Sequence, residues 1–276
     1  MTSTSTSNVM VARVAPLGVS SRFGGRRAPR LIERNLVNTK RNWVIIVSGF
    51  FEPVFYLFSI GIGIGKLVDH VGVGGASVKY TTFVAPGLLA ASAMNGAVFE
   101  TTMNMFHKLK YAKVYDAVLA TPMQVGDVAL GEMGFALLRG SLYSTAFLLV
   151  MTAMGLVASW WALLVVPAAV LIGFTFAGIG LAVTSHLRSW NDFEPVQMVL
   201  LVFFLFSGIF YPLGTYARPL QLVVECTPLF HGVDLVRSLT TGRVGASSAV
   251  DVVYLVVLGL VGLSIALRRI ERLLLS

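Results

Sequence analysis

The sequence predicts an all-α integral membrane protein, on three observations. Of 276 residues, 56% are hydrophobic and only 12% are charged, against roughly 25% charge in an ordinary soluble domain. Mean hydropathy is +0.79. The apolar residues gather in blocks of about 20, the length at which a helix rising 1.5 Å per residue crosses a hydrocarbon core of ~30 Å. Six transmembrane helices are expected, approximately at 43–65, 80–105, 128–154, 160–184, 196–213 and 248–267. Residues 1–25 read as a disordered polar tail without the apolar core of a cleaved signal peptide. Residues 26–276 read as one membrane domain, because the pieces between blocks are too short to bury a core of their own.

Charge orients these elements. With the N-terminus in the cytoplasm, fifteen of the 21 Lys and Arg fall inside: eight before residue 42, then Lys108, Lys110, Lys113, Arg188, Arg268, Arg269 and Arg272. Five fall outside: Lys66, Lys79, Arg218, Arg237 and Arg243. The excess places both termini in the cytoplasm. It also accounts for the net charge of +8 by a tail facing anionic lipid. Nucleic-acid binding is excluded, since no aromatic-basic module accompanies the charge.

Four ionisable groups fall inside expected spans, where each needs a partner or a role. They are Glu52 in the first, Glu100 in the second, and Glu132 and Arg139 in the third. Three readings are open: a buried ion pair of Arg139 with Glu52 or Glu100, proton coupling or substrate contact, and the wall of a wet cavity. Small residues crowd the second span ("APGLLAASAMNGA") and the fourth ("GFTFAGIGLA"), which permits close helix packing.

No motif for chemistry appears. "GIGIGK" at 61–66 lacks the first glycine of a phosphate loop, because Ile60 stands there, and Leu67 replaces the magnesium-binding hydroxyl. Cys226 is the only cysteine and the four histidines are scattered, so neither a disulfide nor a metal site is expected. Any nucleotide-driven work needs a nucleotide site on another chain.

Between the second and third spans lies "YAKVYDAVLATPM". Tyr115, Val118 and Leu119 stand at i, i+3 and i+4, one face of a helix. Asp116 suits its N-terminal dipole and Pro122 its end.

Five stretches in order, "LIERNL", "SGFFEPVFYLFSIGIG", "YDAVLATPM", "LFSGIFYPL" and "TPLFHGVDLVRSL", make the chain resemble the permease subunits of ABC-2 type exporters. Within these it is most similar to the nodulation-type lipooligosaccharide and drug-resistance permeases. The resemblance implies a second permease copy or homologue and two cytosolic ATPases that carry ATP and magnesium, with no cofactor on this chain. It makes Tyr115, Asp116, Val118, Leu119, Thr121 and Pro122 the coupling helix that docks on the ATPase. It makes 26–41 an amphipathic interface helix, with Leu31, Leu36 and Val37 toward lipid. Tyr211 and Pro212 would end the fifth span and, with Glu225, Asp234 and Arg237 of a re-entrant outer segment before the last span, form an outer gate.

The expected function is therefore that of a permease subunit exporting a lipid-like, glycolipid or amphiphilic drug substrate across a plasma membrane, the inner membrane of a bacterium. Phe50, Phe55, Phe203 and Phe206 are candidate lining residues. The rival reading is an ion-coupled secondary transporter that uses Glu52, Glu100 and Glu132 as a proton relay.

Overall fold

The structure, a computed structural model, describes residues 25–41, 51, 53–68, 70–73 and 76–275. The expected tail up to residue 24, the first half of the expected first span, Phe50 and Glu52 lie outside them.

Apart from one hairpin, the described chain is helical. The basic segment forms α1 (Ala28–Arg41). A second helix, α2 (Pro53–Lys66), leads into strands β1 (His70–Val73) and β2 (Ala76–Lys79). The strands pair antiparallel, with His70 opposite Lys79 and Val73 opposite Ala76. Helix α3 (Tyr80–Tyr111) follows, then the short α4 (Val114–Leu119) and the long α5 (Val125–Ala153). A 3₁₀ turn at Trp160–Leu164 opens α6 (Val165–Thr184). The chain continues through α7 (Phe193–Phe206), α8 (Arg218–Glu225), α9 (Pro228–Thr241) and α10 (Ala246–Leu275).

Among the described residues, four helices are long and apolar enough to cross a membrane: Tyr80–Tyr111, Val125–Ala153, Trp160–Thr184 and Ala246–Leu273. Two expected boundaries move. The second span was expected to stop at 105, but its helix runs on to Tyr111 by taking up π-helical turns at Glu100–Asn104 and His107–Tyr111. The fifth was expected to run from 196 to 213, broken at Tyr211 and Pro212. Its helix, α7, has 14 residues, about 21 Å at 1.5 Å per residue. It ends at Ser207, and Gly208 turns the chain with φ 71°, a left-handed backbone that glycine adopts without steric cost.

Helix α6 is the hub, packed against α3, α5, α9 and α10. Its contact with α10 is backbone to backbone: a Cβ on Gly178 would lie 2.6 Å from the Gly259 carbonyl, and one on Gly262 2.7 Å from Gly178. Small residues allow this approach, and dispersion between helices replaces the hydrophobic effect as its driving force in lipid. Polar links tie α6 to α10 and to α3. Thr175 Oγ1 donates to the Leu255 carbonyl at 2.8 Å, and Thr184 Oγ1 donates to the Thr101 carbonyl at 2.8 Å. The second link engages the first π-turn of α3.

Candidate functional site

Two groups of residues converge at the end of the bundle that carries α1 and α4. The first joins helix termini. Gln124 and Asp127 cap α5, the Gln124 N–H donating to Asp127 Oδ2 at 3.0 Å. The other carboxylate oxygen of Asp127 accepts the backbone N–H of Arg27 at 3.0 Å, just before α1. The Arg27 guanidinium donates to the carbonyl of Pro122, after α4. One buried carboxylate and one arginine thereby tie α1, the exit of α4 and the start of α5 together. Helix α1 then lies directly on α5, where a Cβ on Gly131 would stand 2.7 Å from the Leu31 Cβ.

That docking corrects one expectation. Leu31 does not face lipid; it is 1% exposed, in the core, while Leu36 and Val37 are exposed. Ala28, Leu31 and Asn35, at i, i+3 and i+7, form the inner stripe of α1.

The second group is ionic. Arg139 Nη1 stands 2.8 Å from Glu100 Oε2, and Lys108 Nζ stands 2.6 Å from Glu132 Oε2 and 3.8 Å from Glu100 Oε1. Asn35 Nδ2 donates to Glu132 at 3.1 Å, Asn104 Nδ2 to Glu100 at 2.8 Å, and Arg139 Nε to the Tyr143 hydroxyl at 2.9 Å. Both carboxylates are buried, and each is neutralised by a cation and an amide, the condition under which a buried charge is retained. Of the two expected partners of Arg139, the structure pairs it with Glu100; Glu52 lies outside the described residues. Glu132 does not belong to Arg139. It belongs to Lys108, which as a sequence feature was only a topogenic charge.

Helix α4 is rooted in this cluster. Tyr115 and Val118 are buried and Leu119 packs against the core. The apolar face that spacing identifies is thus turned into the protein. Asp116, Ala117, Ala120, Thr121 and Pro122 are the exposed ones. The Tyr115 hydroxyl and Glu132 Oε1 are buried and, among the described residues, neither makes a well-formed hydrogen bond. Burial, and then the Glu132 carboxylate, push the Tyr115 hydroxyl well above its usual range. Beside α4, the end of α3 stacks on the α6–α7 connection, with Tyr111 and Trp190 ring centroids 5.6 Å apart and Phe106 and Phe193 5.1 Å apart.

Above the ion pairs, a cavity of about 350 Å³ opens between α2, α3, α5 and α7, and Arg139 and Tyr143 form part of its wall. Besides Tyr143, its aromatic lining is Tyr56, Phe99 and Phe204. Phe55, Phe203 and Phe206 are absent from that lining, since Phe55 and Phe206 point outward and Phe203 packs against the core.

At the opposite end of α3, the segment after α7 (207–210) is buried although irregular. Arg237 Nη2 donates to the Gly208 carbonyl at 2.8 Å and to the Phe83 carbonyl at 3.3 Å, and its guanidinium lies 4.1 Å from the Phe83 ring centroid. These contacts hold the expected gate residue Arg237, and no Asp234–Arg237 or Glu225 ion pair forms among the described residues. Buried irregular backbone needs such donors for its carbonyls. Tyr211 is exposed and Pro212 partly so. Nearby, His231 Nδ1 and Asp251 Oδ1, 2.7 Å apart, join α9 to α10.

Lys108 and Asn35 were the residues sequence reasoning missed. Lys108 lies eight residues after Glu100, close to two helical turns, so the shared face was available once the helix was known to continue. Asn35 follows Leu31 by four.

Comparison with known proteins gives the family. The profile of the ABC-2 type transporter family matches residues 29–240. The chain is 33% identical over 233 residues to nodulation protein J of Rhizobium leguminosarum bv. viciae, covering 82% of this chain and 88% of that protein. It is 31% identical over 233 residues to nodulation protein J of Sinorhizobium fredii, covering 84% and 87%. A multi-pass helical chain with no nucleotide-binding motif, matched over most of its length in this way, belongs to the ABC-2 type transporter family as its membrane domain.

Proposed function

We propose that this chain is the permease subunit of an ATP-driven exporter that moves a lipid-like, glycolipid or amphiphilic drug substrate outward across the plasma membrane. In this reading α2 and α7 complete a set of six spans and both termini are cytoplasmic. Two ATPase subunits bind at the α1/α4 end, a second permease copy or homologue packs beside the chain, and α8 and α9 form a re-entrant outer segment.

The observation that carries the reading is the continuity between α4 and the cavity. Asp116, Ala117, Ala120, Thr121 and Pro122 offer a solvent face, while Tyr115 and Val118 anchor the same helix in the core. Arg27 and Asp127 tie its exit to α1 and α5. From there Glu132, Lys108, Glu100 and Arg139 lead to the cavity wall. A push on α4 reaches the cavity through ion pairs and not through loose loops. The same pairing argues against a proton relay, because both described carboxylates are held by cations.

The test is vesicle transport with the energy source varied. Inverted vesicles holding the permease with an ATPase that co-purifies with it should load a fluorescent amphiphile on ATP addition and stop with vanadate. Loading by the permease alone under a proton gradient would contradict the proposal.

A further inference from the structure

We infer that α8 and the corner joining it to α9 are clamped onto α10 by a proton-dependent pair, His231 with Asp251. The clamp holds when the imidazole is charged and slackens when it is neutral. It does not depend on the exporter reading. Where that reading holds, the clamp lies on the outer side of the membrane and senses the pH there.

Little else holds the corner. Helix α8 buries only Val224 of its eight residues, and Cys226 beyond it is exposed. Three contacts fasten the corner to α10. The Tyr254 hydroxyl donates to the Cys226 carbonyl at 2.6 Å. His231 Nδ1 stands 2.7 Å from Asp251 Oδ1, and the His231 ring stacks on Tyr254 with centroids 4.0 Å apart. Asp251 and Tyr254 are i and i+3 on α10, neighbours on one face. A single stripe of α10 therefore carries the whole fastening.

The charge on that stripe depends on His231. Asp251 is 4% exposed, and its Oδ2 is buried with no hydrogen-bond partner among the described residues. A buried carboxylate is stable only when a cation and hydrogen bonds compensate it. Among the described residues His231 is its one ion-pair partner. As imidazolium it gives a charge-assisted bond, roughly twice as strong as a neutral one. As neutral imidazole it leaves a buried anion uncompensated, which is relieved when the corner lifts and water reaches Asp251. Histidine ordinarily changes charge between about pH 5 and 8, so acid tightens the corner and alkali loosens it.

The other charged groups nearby do not take over this role. Asp234, three residues on in α9, feels the charges of both His231 and Asp251. Arg237 is committed to the Gly208 and Phe83 carbonyls. On α8, Arg218 donates to Gln221 at 3.0 Å, and Glu225 has no ion pair among the described residues. Tyr80 of α3 and Tyr254 add phenols, which are ordinarily neutral over this range. Helix α6 and the turn at 160–164 carry no ionisable side chain. The remaining charges of α3, α7 and α10 lie toward their other ends.

The experiment is hydrogen exchange on the full-length permease in phosphatidylcholine nanodiscs, corrected for intrinsic rates. Peptides covering 219–231 should exchange about fivefold faster at about pH 8 than at about pH 5.5, with α6 unchanged. His231→Gln keeps an amide donor without a titratable charge and should abolish the response, as should Asp251→Asn. Asp234→Asn should retain it. His231→Arg, always charged and flat enough to stack on Tyr254, should keep the corner as protected at the higher pH as the native protein is at the lower. Misfolding would not produce that gain. Exchange independent of pH in the native protein, a response that survives His231→Gln, or an Arg variant that loosens with alkali would each overturn the inference. ATP-driven loading of inverted vesicles is measured in parallel. A pH-dependent corner without loading leaves the clamp standing and counts against the exporter reading; loading with a pH-independent corner does the reverse.

Discussion

The two ends of the bundle are held in different ways. At the α1/α4 end, helix termini are bound by side chains with little slack: Arg27 to the Pro122 carbonyl, Asp127 to the Arg27 N–H, and Asn35 and Lys108 to Glu132. Tyr115 and Leu31, each 1% exposed, fill the spaces between them. At the other end, α7 stops after 14 residues and buries little beyond Phe193. The segment that follows rests on Arg237 and on Ile209, which sits where a Cβ on Gly87 would come within 3.0 Å. The first arrangement transmits displacement, because interlocked ion pairs and packed side chains deform little. The second has few links to break, as a region that must open requires. The exporter proposed above, driven from one side and opening on the other, would use this asymmetry.

The largest effect is expected where the asymmetry is rooted. Lys108→Met leaves Glu132 buried with one amide and without its cation, which costs about 3–5 kcal/mol. Thermal unfolding of the purified permease should show a large drop. Lys108→Met with Glu132→Gln should recover most of it, since the uncompensated charge is then gone. A double variant no more stable than the single one would refute the pairing.

Leu31→Ala comes next, at about 2–5 kcal/mol for a buried leucine, whereas Val37→Ser on the outer face of α1 should stay within about 0.5 kcal/mol. Comparable losses for both would return α1 to a helix lying on lipid. Arg237→Met, at about 1.5–3 kcal/mol for its charged hydrogen bonds, should act locally. Hydrogen exchange should rise around 207–216 and remain unchanged in α1 and α5. The smallest effect, about 1 kcal/mol, is expected for Asp127→Asn, which keeps cap geometry but weakens charge-assisted bonds at the α5 start. Limited proteolysis at Arg26 and Arg27, just ahead of α1, should detect it as faster cleavage.

How much of this was legible depended on whether the signal was local. Four long spans, the short helix at 114–119 and the broken stretch before α10 follow from hydropathy, proline and periodicity. Glu100 and Arg139 were visible as partners because both are ionisable and lie in adjacent spans. Lys108 was hidden, because hydropathy falls before it and the π-turns that carry α3 to Tyr111 leave no signature in composition. Spacing gave Tyr115, Val118 and Leu119 one face, yet periodicity does not say which neighbour covers a face, and here the covering neighbour is α5 with its Glu132. The end of α7 was misplaced for a similar reason. Pro212 is the stronger breaker on paper, but Gly208 turns first, and the donor that makes its buried carbonyl tolerable, Arg237, lies 29 residues further on.

The account's central claim is that α4 receives force through its exposed face while its apolar face holds it in the permease. Co-purification of the ATPase with tagged permease, measured beside thermal unfolding, tests this directly. Asp116→Arg with Ala120→Arg should reduce ATPase recovery at least tenfold and leave the unfolding temperature unchanged. Full recovery of the ATPase with that double variant, or loss of permease stability in step with loss of ATPase, would contradict it.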